Sequence, residues 1–481
     1  VAIKYRAIAT ITVFITALQA GQVLIAAEEI GLLQALIDRS NELLQAYSSY
    51  EIELEELESR FGPYDQSLLE PLDSMIALMI EARDYQRVAA LQERQLQLVR
   101  TSLGLEHPDV IPVIEDIIAN QIRLEDWPAV SDRLEHIRDV TGANSSFSTM
   151  DLLSAIDDQA YWYFSRVYLD ASEHSARHFM QARELYREVE ALAEDDYGSS
   201  SPALFPWLYR RAVVEYQLVQ FLNAPDGLGS DTIARLIRKE GRTRLQNTSR
   251  LFVDVDAIFG LGTNIPVVDG GQAIGETYLR DGLNFIGRIR EIADAEGDTE
   301  VLAMAKIYRA DFQLLMGFGT AFREYREAQE LLREAGISDS KIEEYFNRPS
   351  MIPNDRFFTR FDEMVSYQSQ TRAQLADQLE EIIHVGVMTA WHESLPAVEK
   401  PVSTDSILAL EFGYNQVDLS FNISRRGAVS SVDVLAAAPD ERRVRTKAAR
   451  ALRDVQFRPA IVDGKAERVR DVQIRYLSLP E

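Results

Sequence analysis

Cysteine is absent from the 481 residues. Its absence excludes disulfides, thiol nucleophiles and Cys-ligated zinc. It leaves the compartment open, because an oxidising compartment permits disulfides without requiring them. Glycine and proline are sparse, at 24 and 16, which argues against a long flexible linker. Positive charge is also short: 50 Lys and Arg stand against 76 Asp and Glu, net −26. A chain this acidic is repelled by phosphate backbones, so nucleic-acid binding is not expected of its main body. After the first 27 residues no stretch is long and apolar enough to cross a membrane. What is present is a globular composition, 46% hydrophobic, with length for two or three domains.

The charge is unevenly spread. Residues 411–481 hold 13 Lys and Arg and 10 Asp and Glu, net +3; the remainder holds 37 and 66, net −29. The first residues pair a short positive segment, Lys4 and Arg6, with the uncharged run Ala7 to Leu18. Small residues follow at Ala20, Ala26 and Ala27. This is the layout of a secretory signal peptide. An uncleaved anchor over Ala7 to Ala27 fits as well, and would tether the chain to an inner membrane. A buried first helix of a cytoplasmic protein is the remaining alternative.

From Glu29 to about Tyr345 the apolar spacing is helical, beginning with Ile30, Leu33, Leu36, Leu43, Leu44 and Tyr47. A longer period lies over it. Phe61-Gly62-Pro63-Tyr64-Asp65 opens one unit, and Leu103-Gly104-Leu105-Glu106-His107-Pro108-Asp109 opens the next, 42 residues on. The same offset aligns Leu68 with Val110, Leu72 with Ile114, Ile76 with Ile118, Ile80 with Ile122 and Val88 with Val130. It also aligns Asp84-Tyr85 with Asp126-Trp127. Two helices per period of about 40 residues indicate a helical solenoid. The units resemble tetratricopeptide repeats of the type with a Leu-Gly-x-x-His-Pro loop found in kinesin light chains. Tyr197-Gly198-Ser199-Ser200-Ser201-Pro202 resembles another such loop. Phe312, Leu315, Tyr325, Ala328, Leu332 and Ala335-Gly336 follow the large-small pattern of a standard unit, packing 300–316 against 321–335. Phe221 to Val268 is irregular, and four to six repeats are expected. Such arrays usually bind a peptide or a protein helix in their groove.

Candidate chemistry is thin. His174 and His178 are four apart, one ingredient of a zinc site, but no further His or Cys stands at ligand spacing. His392-Glu393 lacks the second His of a zinc protease. Gly260-Leu261-Gly262 lacks the third glycine and preceding strand of a dinucleotide site. Asp269-Gly270-Gly271 is expected as a turn before a helix. Asp157-Asp158 and Asp195-Asp196 are expected at solvated helix ends, and His107-Pro108 as part of the repeat loop. Trp127, Trp162, Trp207 and Trp391 are expected as core anchors. No nucleophile, base and oxyanion site assemble, so no enzyme, cofactor or metal is expected.

The end of the chain has another pattern. Val417, Leu419, Phe421 and Ile423 alternate with polar residues as a half-buried strand does. Arg426-Gly427 turns the chain into Val429, Val432 and Val434. Pro439-Asp440-Glu441 opens a helix with Ala448, Ala449, Leu452 and Val455 on one side. Phe457-Arg458-Pro459-Ala460 leaves it, Asp463-Gly464 turns, and Val469, Val472, Ile474 and Tyr476 form a last strand. The strand ending Ile-x-x-x-Gly-x-Val (Ile423 to Val429), the Pro-led helix, and Phe457, Pro459, Ala460 and Gly464 together resemble the C-terminal domain of TonB, the energy transducer of the Gram-negative envelope. The family's Pro-rich periplasmic segment is missing, and Ser403-Thr404-Asp405-Ser406 stands where a Tyr-Pro pair is usual.

The expected architecture is mainly α: a tetratricopeptide-like solenoid followed by a small α+β domain. The divisions are 1–27 signal peptide or anchor, 28–349 helical repeats, 350–404 helical linker, and 405–481 the TonB-like domain. The resemblance implies a periplasmic scaffold or adaptor with a periplasmic or outer-membrane protein partner, linked to energy transduction or outer-membrane transport. It implies partner binding by strand addition along Val469, Val472, Ile474 and Tyr476. The alternative is a cell-wall-associated enzyme or carbohydrate-binding factor that uses the repeats as a platform.

Overall fold

Glycines in the left-handed region punctuate the helices at the expected interval. Gly62 has φ +95° and Gly104 has φ +108°. The interval recurs at two residues that are not glycine: Arg83 and Glu125, 42 apart, both have φ +56°. Each closes a helix in the same way. Asp84 N–H donates to the Met79 carbonyl at 2.9 Å, and Asp126 N–H to the Gln121 carbonyl at 3.0 Å. The repeat read from the sequence is therefore a repeat of backbone geometry. Because Arg83 is exposed and strained, Arg83→Gly should stabilise the protein by about 0.5–1 kcal/mol in urea titrations.

This computed structural model describes residues 39, 41–170, 172–223, 267–354, 356–373, 384–389, 415–453 and 455–478. The N-terminal leader or anchor, most of the irregular segment, Trp391, His392-Glu393, Gly260-Leu261-Gly262 and the boundary near 395–405 lie outside those residues. Among the described residues no helix is long and apolar enough to cross a membrane.

The chain divides into two compact units, Val1–Asp126 and Trp127–Glu481. In the first, helix α1 (41–61) is followed by α2 (Leu69–Glu81), α3 (Tyr85–Leu103) and α4 (Val110–Arg123). A short 3-10 turn, Gln66–Leu68, leads into α2, and the Asp65 carboxylate caps it by accepting from Ser67 N–H. The Asp84 carboxylate caps α3 by accepting from Arg87 N–H. Leu68, Leu72 and Met75 are buried with Leu54 and Leu98. Their counterparts Val110, Ile114 and Ile117 are buried too.

The second unit continues with α5 (Trp127–Ala143), α6 (Thr149–Leu169), α7 (Ser172–Tyr197) and α8 (Phe205–Asn223). The Tyr197–Pro202 loop repeats the earlier device. Gly198 is left-handed, and Ser201, three residues on, caps a 3-10 turn before α8. Then come α9 (Val267–Glu296), α10 (Thr299–Leu315), α11 (Ala321–Glu334) and α12 (Asp339–Phe346). Asp269-Gly270-Gly271 falls inside the first turns of α9, not in a turn before it. The helix pair expected around Ala328 is α10 and α11. Ala328 is fully buried between them, and Lys306 and Arg309 on α10 bridge to Glu324 on α11. Gly282 lets α9 approach its neighbours: a Cβ there would lie 2.7 Å from the Phe312 ring and 3.2 Å from the Ala212 carbonyl. Gly282→Ala should therefore cost about 1–3 kcal/mol in denaturant titrations, although alanine is the better helix former.

Beyond α12 come β1 (Ser350–Ile352), α13 (Phe361–Ala373) and β2 (His384–Thr389). They are followed by β3 (Asn415–Ile423), β4 (Val429–Ala438), α14 (Arg442–Arg453), β5 (Gln456–Arg458), β6 (Ala460–Val462), β7 (Lys465–Glu467) and β8 (Val469–Ser478). The expected order of strands, turns and helix is present. A four-stranded sheet runs β2-β8-β3-β4, and two small sheets are β1-β5 and β6-β7. The stretch 350–404, expected as a helical linker, supplies two of these strands as well as α13. Its β1 pairs antiparallel with β5, Met351 opposite Phe457. Phe421, Val444, Ala448, Leu452, Phe457 and Val472 form the core of this last part.

Candidate interaction surfaces

The last part and the helices share side chains. Arg458 on β5 is 1% exposed. Its guanidinium lies 3.9 Å from the Tyr345 ring centroid and 5.2 Å from that of Phe346. It donates to the Tyr345 hydroxyl and, at 3.4 Å, to the Tyr345 carbonyl. Behind it Tyr325 OH donates to the Asp311 carboxylate at 2.6 Å. Burial pushes the Asp311 carboxyl up to about 6; the charge of Arg458 and the Tyr325 bond hold it from going higher. Ile461 on β6 and Ile352 on β1 belong to the hydrophobic core of the helices. The sheet end therefore caps the helical stack, covering the face that a further helix pair would otherwise cover.

The strand-addition reading meets a different sheet from the one expected. Strand β8 is internal. It pairs antiparallel with β3 from Val469 to Ser478. On its other side β2 pairs with it in parallel, with Val387 opposite Arg475 and Thr389 opposite Leu477. Val469, Val472, Ile474 and Tyr476 all point into the core. Their side chains present no surface, so a contact along β8 is restricted to backbone groups outside the stretch Gln473–Leu477 that β2 covers. Among the described residues this sheet has two strands with no neighbour on the outer side, the six-residue β2 and, at the opposite edge, β4. The latter is ten residues long with Asp433 as its one charge. Leu435 on it is 52% exposed. A left-handed Ser431 and register shifts against β3 bend it. The sequence signal for this edge was the low charge of 429–438 itself.

The other candidates resolve as structural parts. His178 is buried against Asp170, Nε2 to Oδ2 2.9 Å, where Arg166 also meets that carboxylate. Burial holds the His178 imidazole below its usual range, partly offset by Asp170. This cluster fastens the corner between α6 and α7, and His174 adds an edge-on ring contact. Among the described residues no three His, Asp or Glu gather as a metal site. Asp195 and Asp196 are exposed near the end of α7, as expected. Asp157 is a correction: it faces inward in mid-helix, not outward at a helix end. It lies 3.7 Å from Arg210, and burial raises its carboxyl. The His107 ring nitrogen accepts from Asp109 N–H at 3.2 Å, which suits its loop role. Trp162 is fully buried and donates to Ser131 Oγ at 2.7 Å. Trp127 and Trp207 are half-buried.

Sequence reasoning missed a chain of buried charge through α7, α8 and α9. Arg183 and Glu215 are both 0% exposed and meet at 2.9 Å. Arg211 joins Glu190 at 2.9 Å, and Arg288 reaches Glu190 at 2.7 Å. Each of these cations meets an anion, which offsets the cost of removing it from water. In the first unit Asp73 and Glu115 occupy equivalent repeat positions. Burial raises both carboxyls, and the neighbouring charge of Asp116 raises them further.

No protein-family profile matches the chain, and no curated protein matches it. Among solved structures it is similar to a putative kinesin light chain of Podosopora anserina with nearly identical TPR-like repeats, and to a single-substitution form of that protein. Each is 15% identical, over 44% of this chain and 92% of the other, with a TM-score of 0.26. The description of this chain as a helical array rests on its own backbone geometry.

Proposed function

We propose that this chain is a non-enzymatic adaptor of the Gram-negative cell envelope that holds protein partners on two kinds of surface. The helical repeats present one. The other is the edge of β4, which takes an extended segment of a periplasmic or outer-membrane protein by strand addition. The observation that carries this reading is the β4 edge: ten residues with one charge, where proteins ordinarily place several charges or a cover. Backbone groups there supply binding, and alternate side chains supply selectivity. The TonB-like marks between Ile423 and Gly464 support a tie to energy transduction or outer-membrane transport. The Lys4 to Ala27 pattern supports export, with or without a retained inner-membrane tether.

Two measurements test it. Fusing residues 1–35 to a reporter active only outside the cytoplasm is expected to give signal; a stable, silent fusion removes the envelope location. A photo-crosslinking residue at Leu435 in the full chain is expected to trap an extended segment of one envelope protein. The same group at Arg426, in the adjoining turn, is expected to trap little. Equal trapping at both positions, or none at Leu435, removes strand addition from the reading.

A further inference from the structure

The helices and the terminal sheet have separate hydrophobic cores. Strand β1 gives Ile352 to the helical core, and β5 gives Phe457 to the sheet core. The β1-β5 ladder therefore crosses the joint between them, with Met351 opposite Phe457. Ile461 enters the helical core from the sheet side. The joint is also charged. Asp311 on α10 is 0% exposed and Arg458 on β5 is 1% exposed. Asp311 Oδ1 accepts from Tyr325 OH at 2.6 Å, and its Oδ2 is buried with no hydrogen-bond partner. Both Nη atoms of Arg458 donate to Tyr345, and its Nε is buried with no partner. Buried polar atoms without bonds weaken a contact, and apolar side chains of the same volume would hold this joint more firmly. Packing alone does not account for a charged joint between two bodies that each keep a core of their own.

We propose that the terminal sheet is a detachable plug on the helical stack, held more or less firmly according to whether Asp311 carries a proton. The groups that face Asp311 are Tyr325 from α11 and Arg458 from β5, with Tyr345 from α12 behind Arg458. Strand β1 also packs on α10 and has no ionisable side chain. Among the described residues of α9, none acts on the carboxyl. With the plug in place, burial raises that carboxyl to about 6. Removing the plug opens this face of α10 to water and returns the carboxyl toward its ordinary 3.8. When the carboxyl is neutral, Arg458 keeps the Tyr345 and Phe346 rings against its charge. Between the two values the docked form keeps a proton that the open form loses. The plug is therefore held most firmly below about 4 and loosens as pH rises through about 6. The whole interval amounts to about a hundredfold in the docking equilibrium. Docked, the helical surface and the β4 edge are held in one geometry; detached, they act separately. That last consequence rests on the two partner surfaces proposed above, and the plug itself does not.

The test is hydrogen exchange of the full chain from about pH 4 to about pH 8, read by mass spectrometry and corrected for the intrinsic rate at each pH. Peptides over Ser350–Ile352 and Gln456–Arg458 report the ladder that crosses the joint. Peptides over β3 and over α6 to α8 report the two bodies. Protection of the ladder is expected to fall about tenfold or more between about pH 4 and about pH 7, and to fall about fivefold or more beyond any change in the bodies. Asp311→Asn, with circular dichroism as the folding check, removes the titration, and its ladder is expected to stay within about twofold of its bodies. Tyr325→Phe keeps the carboxyl and removes a bond that lowers it, so the fall is expected at higher pH. The proposal is overturned if ladder protection in the parent is flat or rises with pH, or if the bodies lose protection as fast as the ladder. It is equally overturned if Asp311→Asn keeps the parent's fall, or if Tyr325→Phe leaves the fall where it was.

Discussion

Gly427→Val is expected to destabilise the last part of the chain by more than about 4 kcal/mol, among the largest effects a single substitution produces. Gly427 is left-handed, φ +81°, in the turn between β3 and β4. A Cβ on it would lie 1.8 Å from the Phe457 carbonyl oxygen. That oxygen is backbone and cannot swing away. The position is also fixed by hydrogen bonds: Gly427 N–H donates to the Ser424 carbonyl at 2.9 Å, and Phe457 N–H donates to the Gly427 carbonyl at 3.0 Å. Relief therefore requires β5 to move, and β5 carries Arg458 into the helices. Denaturant titration should show an early transition with most far-ultraviolet helix signal retained, and hydrogen exchange at Phe457 should accelerate. A variant within about 1 kcal/mol of the parent would show that the turn relaxes freely.

Arg458→Ala is expected to cost about 3–5 kcal/mol, because it leaves Asp311 buried without its nearby cation and empties the space against Tyr345. The pH dependence carries a separate signature. The Asp311 carboxyl rises from 3.8 to about 6 in the folded protein. Between those values the folded chain keeps a proton that the unfolded chain has lost, so stability from this group falls as pH rises through the interval. Above about 6 the full cost is present, on the order of 3 kcal/mol; below about 4 it is gone. Asp311→Asn keeps an oxygen to accept from Tyr325 and removes the titration. The stability difference between parent and Asp311→Asn should therefore vary with pH over this interval and flatten outside it. In Arg458→Ala the interval should extend upward, since the cation that holds the carboxyl down is gone. A difference flat from about pH 4 to 7 contradicts the assignment.

The sequence displayed the repeat because its loops are built from residues with few substitutes. Gly62 and Gly104 need left-handed backbone, and Asp84 is needed to cap a helix. Those requirements survive into the backbone as the shared geometry at Arg83 and Glu125. The strands of the last part were legible for a similar reason: alternation over Val417 to Ile423 has one meaning. What was not legible depends on distant partners. Strand β1 is three residues long and exists because β5, more than a hundred positions later, pairs with it; no local period signals that. Strand β2 likewise became a strand by pairing with β8, and this moved β8 from an edge to the interior. Arg458 reads as a surface residue, since arginine is seldom fully buried. Only Tyr345, Phe346 and Asp311, brought together from α10 and α12, make a place for it. Asp157 was misread for the same reason: its partner Arg210 lies on another helix.

The plug at the end of the helical stack gives the array a direction. Repeat proteins change length by duplicating or losing whole units, and a unit is accepted wherever both of its faces find a like neighbour. After α12 the next face is filled by Arg458 and Ile461, which are shaped to one aromatic pocket rather than to a generic helix pair. A unit inserted there would leave that pocket and the plug both unmatched. Lineages of this protein are therefore expected to differ in repeat number upstream of α10. The helices from α10 to α12 and the sheet should be inherited as one block.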